Sequence, residues 1–156
     1  MATQPNSVSC LLIPVQSGRQ LLVPNTCIAE IVDYQAPEQA NSPTPWFLGF
    51  IRWRGLRLPL ISYEAANESG SPGLSRTARI AVTNCVGPNA RSVPFIAFLT
   101  TGLPRLAKVN KEELLEAPDM ETGKADAMAV TLNGESAIIP RFETLEALAR
   151  QALSDY

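Results

Sequence analysis

Short apolar runs separated by polar segments bearing Gly and Pro dominate the chain, and the runs have the length of strands rather than helices. Val8 to Val15 is followed by Gln16-Ser17-Gly18-Arg19-Gln20 and a second run, Leu21 to Pro24, which is the pattern of a hairpin. Asn25 would cap a brief helical turn before Cys27 to Ile31, while Ile28, Ile31 and Val32 suit a strand equally well; both readings stay open. Gln35 to Pro45 carries three prolines, so it is a loop rather than a central strand or helix interior. Trp46 to Tyr63 then reads as two strands bent at Gly55. Period-two alternation puts Arg52 and Arg54 on one face and Ile51 and Trp53 on the other.

Glu64 to Thr77, rich in Ala, Asn, Ser, Gly and Pro, predicts a surface loop that divides the chain near its middle. Arg79 to Thr83 and Val93 to Leu99 form a second hairpin-like pair around Gly87-Pro88-Asn89. Lys111 to Glu116 predicts one helical turn before Pro118. Ala127 to Leu132 and Ala137 to Ile139 flank Asn133-Gly134, a strong two-residue hairpin signal. From Arg141 the period changes: Phe142, Leu145, Leu148, Ala149 and Ala152 share one helical face, with Glu143, Glu146, Arg150 and Gln151 on the other. Helices of crossover length are missing between the strands, so the class is mainly β, with two small barrels and a closing helix.

Composition narrows the chemistry. The 156 residues include no His, which removes His-based triads, His-ligated zinc and histidine phosphotransfer on this chain. Cys10, Cys27 and Cys85 are odd in number and far apart, so neither a disulfide framework nor a four-cysteine metal site is expected, and no cofactor is implied. Three free thiols and a polar start, Met1 to Ser9, without a secretory pattern fit a cytoplasmic setting. A net charge of −2 gives no field to attract a polyanion, so nucleic acid is a poor default partner. Cys27 as a nucleophile lacks a His to activate it. Glu112-Glu113 and Asp119 with Glu121 read as solvated carboxylates, and no phosphate loop or nucleophile elbow is present. No catalytic residue and no metal ligand is therefore assigned.

Trp46, Gly49, the pair Arg54-Gly55 and Leu58-Pro59-Leu60-Ile61 stand in the order and spacing of a specific pattern, with Ile28-Ala29-Glu30-Ile31 upstream of it. In these residues the chain resembles the CheW-like family of chemotaxis coupling proteins. The layout of the resemblance runs from about Val8 to Ala152, and its specific part from Ile28 to Tyr63. Arg52 stands where the family usually has Asn, Ser62 where it usually has Asp, and Phe98-Leu99-Thr100 replaces an acidic segment, which points to a divergent member, such as a coupling protein of a pilus-linked chemosensory system. The resemblance implies a single domain over 8–153, built of two five-stranded SH3-like barrels. The first would span about 16–78 and the second about 79–140, with strand 8–15 free to join either, and a C-terminal helix over about 142–153.

It also implies a non-catalytic cytoplasmic adaptor that joins the cytoplasmic tip of a methyl-accepting chemoreceptor to the regulatory domain of a histidine kinase and meets the membrane only through receptors. The implied binding residues are Ile28, Glu30, Gly49, Arg52, Arg54, Gly55 and Arg57. Each has a plainer alternative. Arg54 on an exposed barrel edge blunts aggregation, and three arginines within six residues fit a solvated face. Ile28 fits a core aliphatic and Glu30 a surface carboxylate, while Gly49 and Gly55 fit backbone geometry. Trp53 is expected in the core and Trp46 at the junction between barrels, although aromatics also anchor interfaces. The competing class is a small-barrel nucleic-acid-binding module that stacks bases on hairpin aromatics.

Overall fold

The computed structural model describes residues 7–15, 19–38, 45–67, 76–85 and 94–155. The turns expected at Gln16 to Gly18 and at Gly87 to Asn89, and residues 68–75 of the central loop, lie outside the described residues. In chain order the elements are β1 (Ser7–Pro14), β2 (Gln20–Pro24), β3 (Ile28–Asp33), β4 (Phe47–Trp53), β5 (Leu56–Ile61), α1 (Tyr63–Ala66), β6 (Arg79–Asn84), β7 (Phe95–Thr100), β8 (Arg105–Asn110), β9 (Leu114–Glu116), β10 (Asp126–Leu132), β11 (Glu135–Pro140) and α2 (Phe142–Asp155). Among the described residues no helix is long and apolar enough to cross a membrane.

Two sheets result. A middle barrel has the order β3-β6-β7-β5-β4, and a terminal barrel, built from both ends of the chain, has the order β8-β1-β2-β11-β10-β9. The terminal sheet has six strands rather than five because the three-residue β9 pairs with β10 through Leu114 to Glu116. The partition expected in chain order, 16–78 against 79–140, is corrected by the pairing. β6 and β7 belong with β3, β4 and β5, whereas β2 leaves with β1 for the terminal sheet. Two parallel contacts cause this interleaving: Leu60 and Ile61 of β5 align with Ala97 and Phe98 of β7, and Ile138 of β11 aligns with Leu21 of β2. Parallel neighbours need a crossover, and here the crossing segments are other strands. β1 pairs with β2 on one side and β8 on the other.

The near-continuous apolar runs follow from this arrangement, because many strands bury both faces. Leu12 and Leu22 fill the terminal barrel while Ile13, Leu21 and Val23 point into a third core between the barrels. Likewise Leu60, Ile80, Val82 and Ala97 fill the middle barrel, and Ile61, Ala81, Ile96 and Phe98 face the shared core. Leu145 and Ala149 of α2 pack into that shared core. Glu146, expected on the solvated face, is buried instead: it lies four residues after Phe142 and three before Ala149, on the edge of a stripe wider than the periodicity implied.

One local expectation is also revised and one open reading is decided. Lys111 to Glu116 forms a turn followed by β9 rather than a helical turn, since Leu114 to Glu116 has β10 to pair with. Asn25–Cys27 is a 3-10 turn with no side-chain cap, and Ile28 onward is strand. The Asn133-Gly134 hairpin is as expected, with φ of 51° and 82°.

The barrels are joined by a buried carboxylate. Asp126, 3% exposed at the start of β10, accepts from Tyr63 Oη at 2.5 Å and Asn67 Nδ2 at 2.7 Å, both at the end of the middle barrel's β5. It also accepts from Arg19 Nη2 at 2.7 Å and the Gly123 amide at 2.8 Å. Asn67 Oδ1 in turn accepts from the Ala125 amide at 2.6 Å. Burial alone would raise the Asp126 pKa, but the four donors outweigh it and hold the carboxyl below its ordinary value. Burial, followed by the adjacent carboxylate, pushes the Tyr63 hydroxyl up, so it stays a donor.

Replacing Asp126 with Ala removes the acceptor of Arg19 and Asn67 Nδ2 and leaves Tyr63 Oη only the Ala125 carbonyl at 3.0 Å, and is expected to cost about 3 kcal/mol in urea unfolding at pH 7. Because the folded pKa lies below the unfolded one, the wild-type advantage is complete above about pH 4 and fades as pH falls through the folded value. An Asp126→Ala deficit that is absent at neutral pH, or that does not narrow in acid, would contradict this role.

Candidate functional site

The hairpin β4–β5 turns at Arg54 and Gly55, with φ of 49° and 78°. Two consecutive left-handed residues make a turn whose twist matches the strands it joins. Gly55 suits that geometry; Arg54 adopts it at a modest cost, since a side chain disfavours the left-handed region. The Arg54 side chain is 69% exposed and folds back, with Nη2 3.2 Å from Glu30 Oε1 and its guanidinium 5.0 Å from the centre of the Trp53 ring. Trp53 Nε1 donates to the same Glu30 oxygen at 3.0 Å. Glu30 thus satisfies the one polar atom of a core Trp and fixes the turn cation beside it.

Gly49 has a different task. The backbone of Glu38 pairs with Phe50 through N–H···O bonds of 2.8 and 3.0 Å, attaching the segment after β3 to the free edge of β4. At Gly49, φ is 127° and a Cβ would lie 2.1 Å from the Glu38 carbonyl oxygen. Only glycine permits that approach. The Gln35 side chain continues the closure, donating to the Arg52 carbonyl at 3.2 Å and accepting from the Arg52 amide at 3.3 Å.

Once docked, the Glu38 carboxylate stands between Arg52 and Arg57, which oppose each other across the hairpin. Oε1 lies 3.6 Å from Arg52 Nε and Oε2 3.7 Å from Arg57 Nε. The Arg57 guanidinium carbon rests 3.6 Å from the Phe50 ring centre. Like charges directly opposite each other are destabilising, and Glu38 offsets that repulsion. These exposed pairs each contribute at most about 1 kcal/mol, so they organise a surface more than they hold the fold.

The structure places the predicted residues of this hairpin in two groups: Arg54 and Gly55 at the turn with Glu30 beside Arg54, and Arg52 and Arg57 across the strand pair around Glu38, whose approach Gly49 permits. Ile28 does not join them: it is half-buried against the core between the barrels. Glu38 and Gln35 complete the cluster and were missed, because an acid inside a proline-bearing loop carries no pairing signal. Trp53 lies in the middle barrel's core, and Trp46 packs on the shared core, as expected.

A second exposed feature sits at the terminal barrel. An apolar hollow of about 320 Å³ opens there, lined by Val8, Cys10, Leu22, Val109, Leu114 and Ile139, with Lys111 the one charged residue on its wall. The surroundings of the thiols disfavour the thiolate. Burial, then the Glu146 carboxylate, raises Cys27 above its ordinary value and pushes Cys85 up to about 12. Among the described residues, no cluster of His, Cys, Asp or Glu is placed to hold a metal ion.

A family model for the CheW-like domain matches residues 9–149. Among solved structures, the scaffolding protein TtCheW from Thermoanaerobacter tengcongensis is similar, with a TM-score of 0.72 over 90% of this chain and 88% of that one at 13% identity, a likeness of fold. No curated protein sequence matches the chain.

Gly49→Ala is expected to destabilise the protein by about 2 kcal/mol or more, as strained backbone substitutions do, and to speed amide exchange at Glu38 and Phe50. Arg54→Ala, by contrast, removes an exposed ion pair and should shift the melting temperature by only a degree or two, since such pairs contribute about 0–1 kcal/mol. Thermal melts of the two variants separate a geometric glycine from a surface arginine; equal melts would refute the distinction.

Proposed function

The chain belongs to the CheW-like domain family, and from that premise we propose that it is a chemotaxis coupling adaptor, a cytoplasmic protein that holds a chemoreceptor tip and a histidine kinase together without catalysis of its own. The observation that carries the receptor side is the display of Arg54 at the hairpin turn, beside Trp53 and Glu30. A buried Trp and a carboxylate shared between the two fix the turn, so an exposed guanidinium is presented with little ordering left to lose on binding. A guanidinium in that position suits carboxylates and helix carbonyls.

The kinase side is assigned to the terminal barrel, where the apolar hollow is suited to accept an apolar side chain from another small barrel. Two separate faces on one body are what coupling requires. If one arrangement of receptor and kinase satisfies both faces better than another, the adaptor links receptor state to kinase state by that difference in binding free energy. The rival nucleic-acid reading loses its stacking platform, because Trp53 is buried in the barrel, and a net charge of −2 gives it no supporting field.

Calorimetric titration against a receptor tip fragment and a kinase regulatory domain from the same organism tests the assignment. Arg54→Ala is expected to weaken the receptor complex about tenfold, a hot-spot loss of roughly 1–2 kcal/mol, and to leave kinase binding unchanged. Leu114→Asp is expected to do the reverse. Failure of the wild-type protein to bind either partner would refute the adaptor reading, and matched losses in both complexes would refute the two-face division.

A further inference from the structure

The backbone of Arg52 and the side chain of Arg57 are each anchored. Gln35 brackets the backbone of Arg52 on both its N–H and its C=O, and Arg57 is stacked on a fully buried Phe50. The two sit directly across the hairpin from each other, 71% and 47% exposed in their side chains. Each approaches Glu38 through Nε alone, at 3.6 and 3.7 Å, beyond good hydrogen-bond length. One carboxylate is thus divided between two guanidiniums, and neither makes a hydrogen bond through its Nη groups to a described residue. Two guanidiniums around one carboxylate leave this group with a surplus of one positive charge, on a chain whose net charge is −2.

We propose that Arg52 and Arg57 form a two-guanidinium clamp for a carboxylate side chain of the receptor-side partner, and that Glu38 is a built-in competitor that sets the clamp's affinity. The proposal rests on the adaptor reading for the source of the carboxylate; the clamp itself rests on the hairpin geometry. Guanidinium forks match a planar carboxylate with two parallel N–H···O bonds. An entering carboxylate engages the Nη edges, and Glu38, on the Nε edges, competes with it through like charge rather than for the same donors. A surplus of one charge suits a monoanionic side chain. A phosphate dianion would meet the Glu38 carboxylate at close range.

Three observations test it together. The first is binding of a receptor tip fragment to the wild-type protein, Glu38→Gln, Arg52→Glu and the milder Arg52→Gln across a salt series, with melting temperatures to confirm folding. Glu38→Gln is expected to bind about three- to tenfold tighter at low salt with a steeper salt dependence, as removing a competing charge requires. Arg52→Glu should bind about tenfold weaker, with Arg52→Gln in between. The second is NMR of the Arg Nε–Hε signals during titration with a helical peptide carrying two glutamates one turn apart, and with its glutamine counterpart; only the first should move Arg52 and Arg57. The third is the same titration with inorganic phosphate.

If the receptor fragment fails to bind but the glutamate peptide moves both signals, the clamp stands and the receptor assignment falls. If the fragment binds and all four proteins bind alike, the clamp is overturned and the adaptor reading stands. Equal shifts from both peptides, or larger shifts from phosphate, also overturn it.

Discussion

The burial of Asp126 is the constraint from which the relative placement of the two barrels follows. A carboxylate in a low-dielectric interior is tolerated only when its charge is offset and its lone pairs are filled, and here the donors come from distant stretches of chain. Arg19 leads into β2, Tyr63 and Asn67 end the middle barrel's β4–β5 unit, and Gly123 precedes β10. Satisfying one group therefore fixes the end of the middle barrel against the start of a terminal-barrel strand. Gly123 shows how tight the fit is, since a Cβ there would lie 2.6 Å from Asn67 Cγ. Apolar packing supplies most of the cohesion between barrels, yet it is non-directional; the carboxylate adds the direction.

Order passes from this junction to the hairpin through short-range contacts. Tyr63 begins α1, whose N-cap Ser62 accepts from the Ala65 amide at 3.2 Å, and the Ser62 amide donates to the Trp46 carbonyl at 2.8 Å. That bond joins the two ends of the β4–β5 unit where Trp46 meets the shared core. At the far end, Trp53 packs at 5.0 Å from Phe95 inside the middle barrel and presents its N–H to Glu30. The exposed arginines thus stand on a strand pair anchored at both ends, and local stability is the property a binding surface needs if it is to transmit a bias rather than absorb it.

What could be read from the chain and what could not divide along a physical line. Hairpins depend on neighbouring residues, so Arg54-Gly55 and Asn133-Gly134 were legible, as were the strands that flank them and the helical stripe from Phe142. Sheet membership depends on pairings between distant strands, and a run such as Leu21 to Val23, buried on both faces, carries no mark of which neighbour it will take. The contacts that interleave the barrels, Leu21 with Ile138 and Leu60 with Ala97, involve only one or two aligned residues. The same limit hid the functional partners. Arg52, Arg54 and Arg57 stood out by type and spacing, whereas Glu38 matters only because Gly49, eleven residues later, leaves room for its carbonyl. Asp126 was invisible for a related reason: two of its side-chain donors, Asn67 and Arg19, lie 59 and 107 residues away. Nothing local distinguishes such a residue from a surface acid.

The two barrels have diverged in how they close. The middle barrel is filled by Trp53 with Phe95 packed against it, and its chemistry is at the outer face, where charged side chains are fixed by Glu30 and Glu38. Among the described residues, the terminal barrel's core holds no aromatic side chain; its members include Cys10, Val109 and Ala137, and an apolar hollow opens among them. A filled barrel with a charged rim and an open one with an apolar mouth suit different partners. In the proposed two-face adaptor, charge complementarity would govern register and encounter at the first, and apolar burial residence at the second. Because the shared core and Asp126 hold the barrels as one body, neither face can be reoriented without straining the other, and that rigidity is what allows binding at one face to favour a particular arrangement at the other.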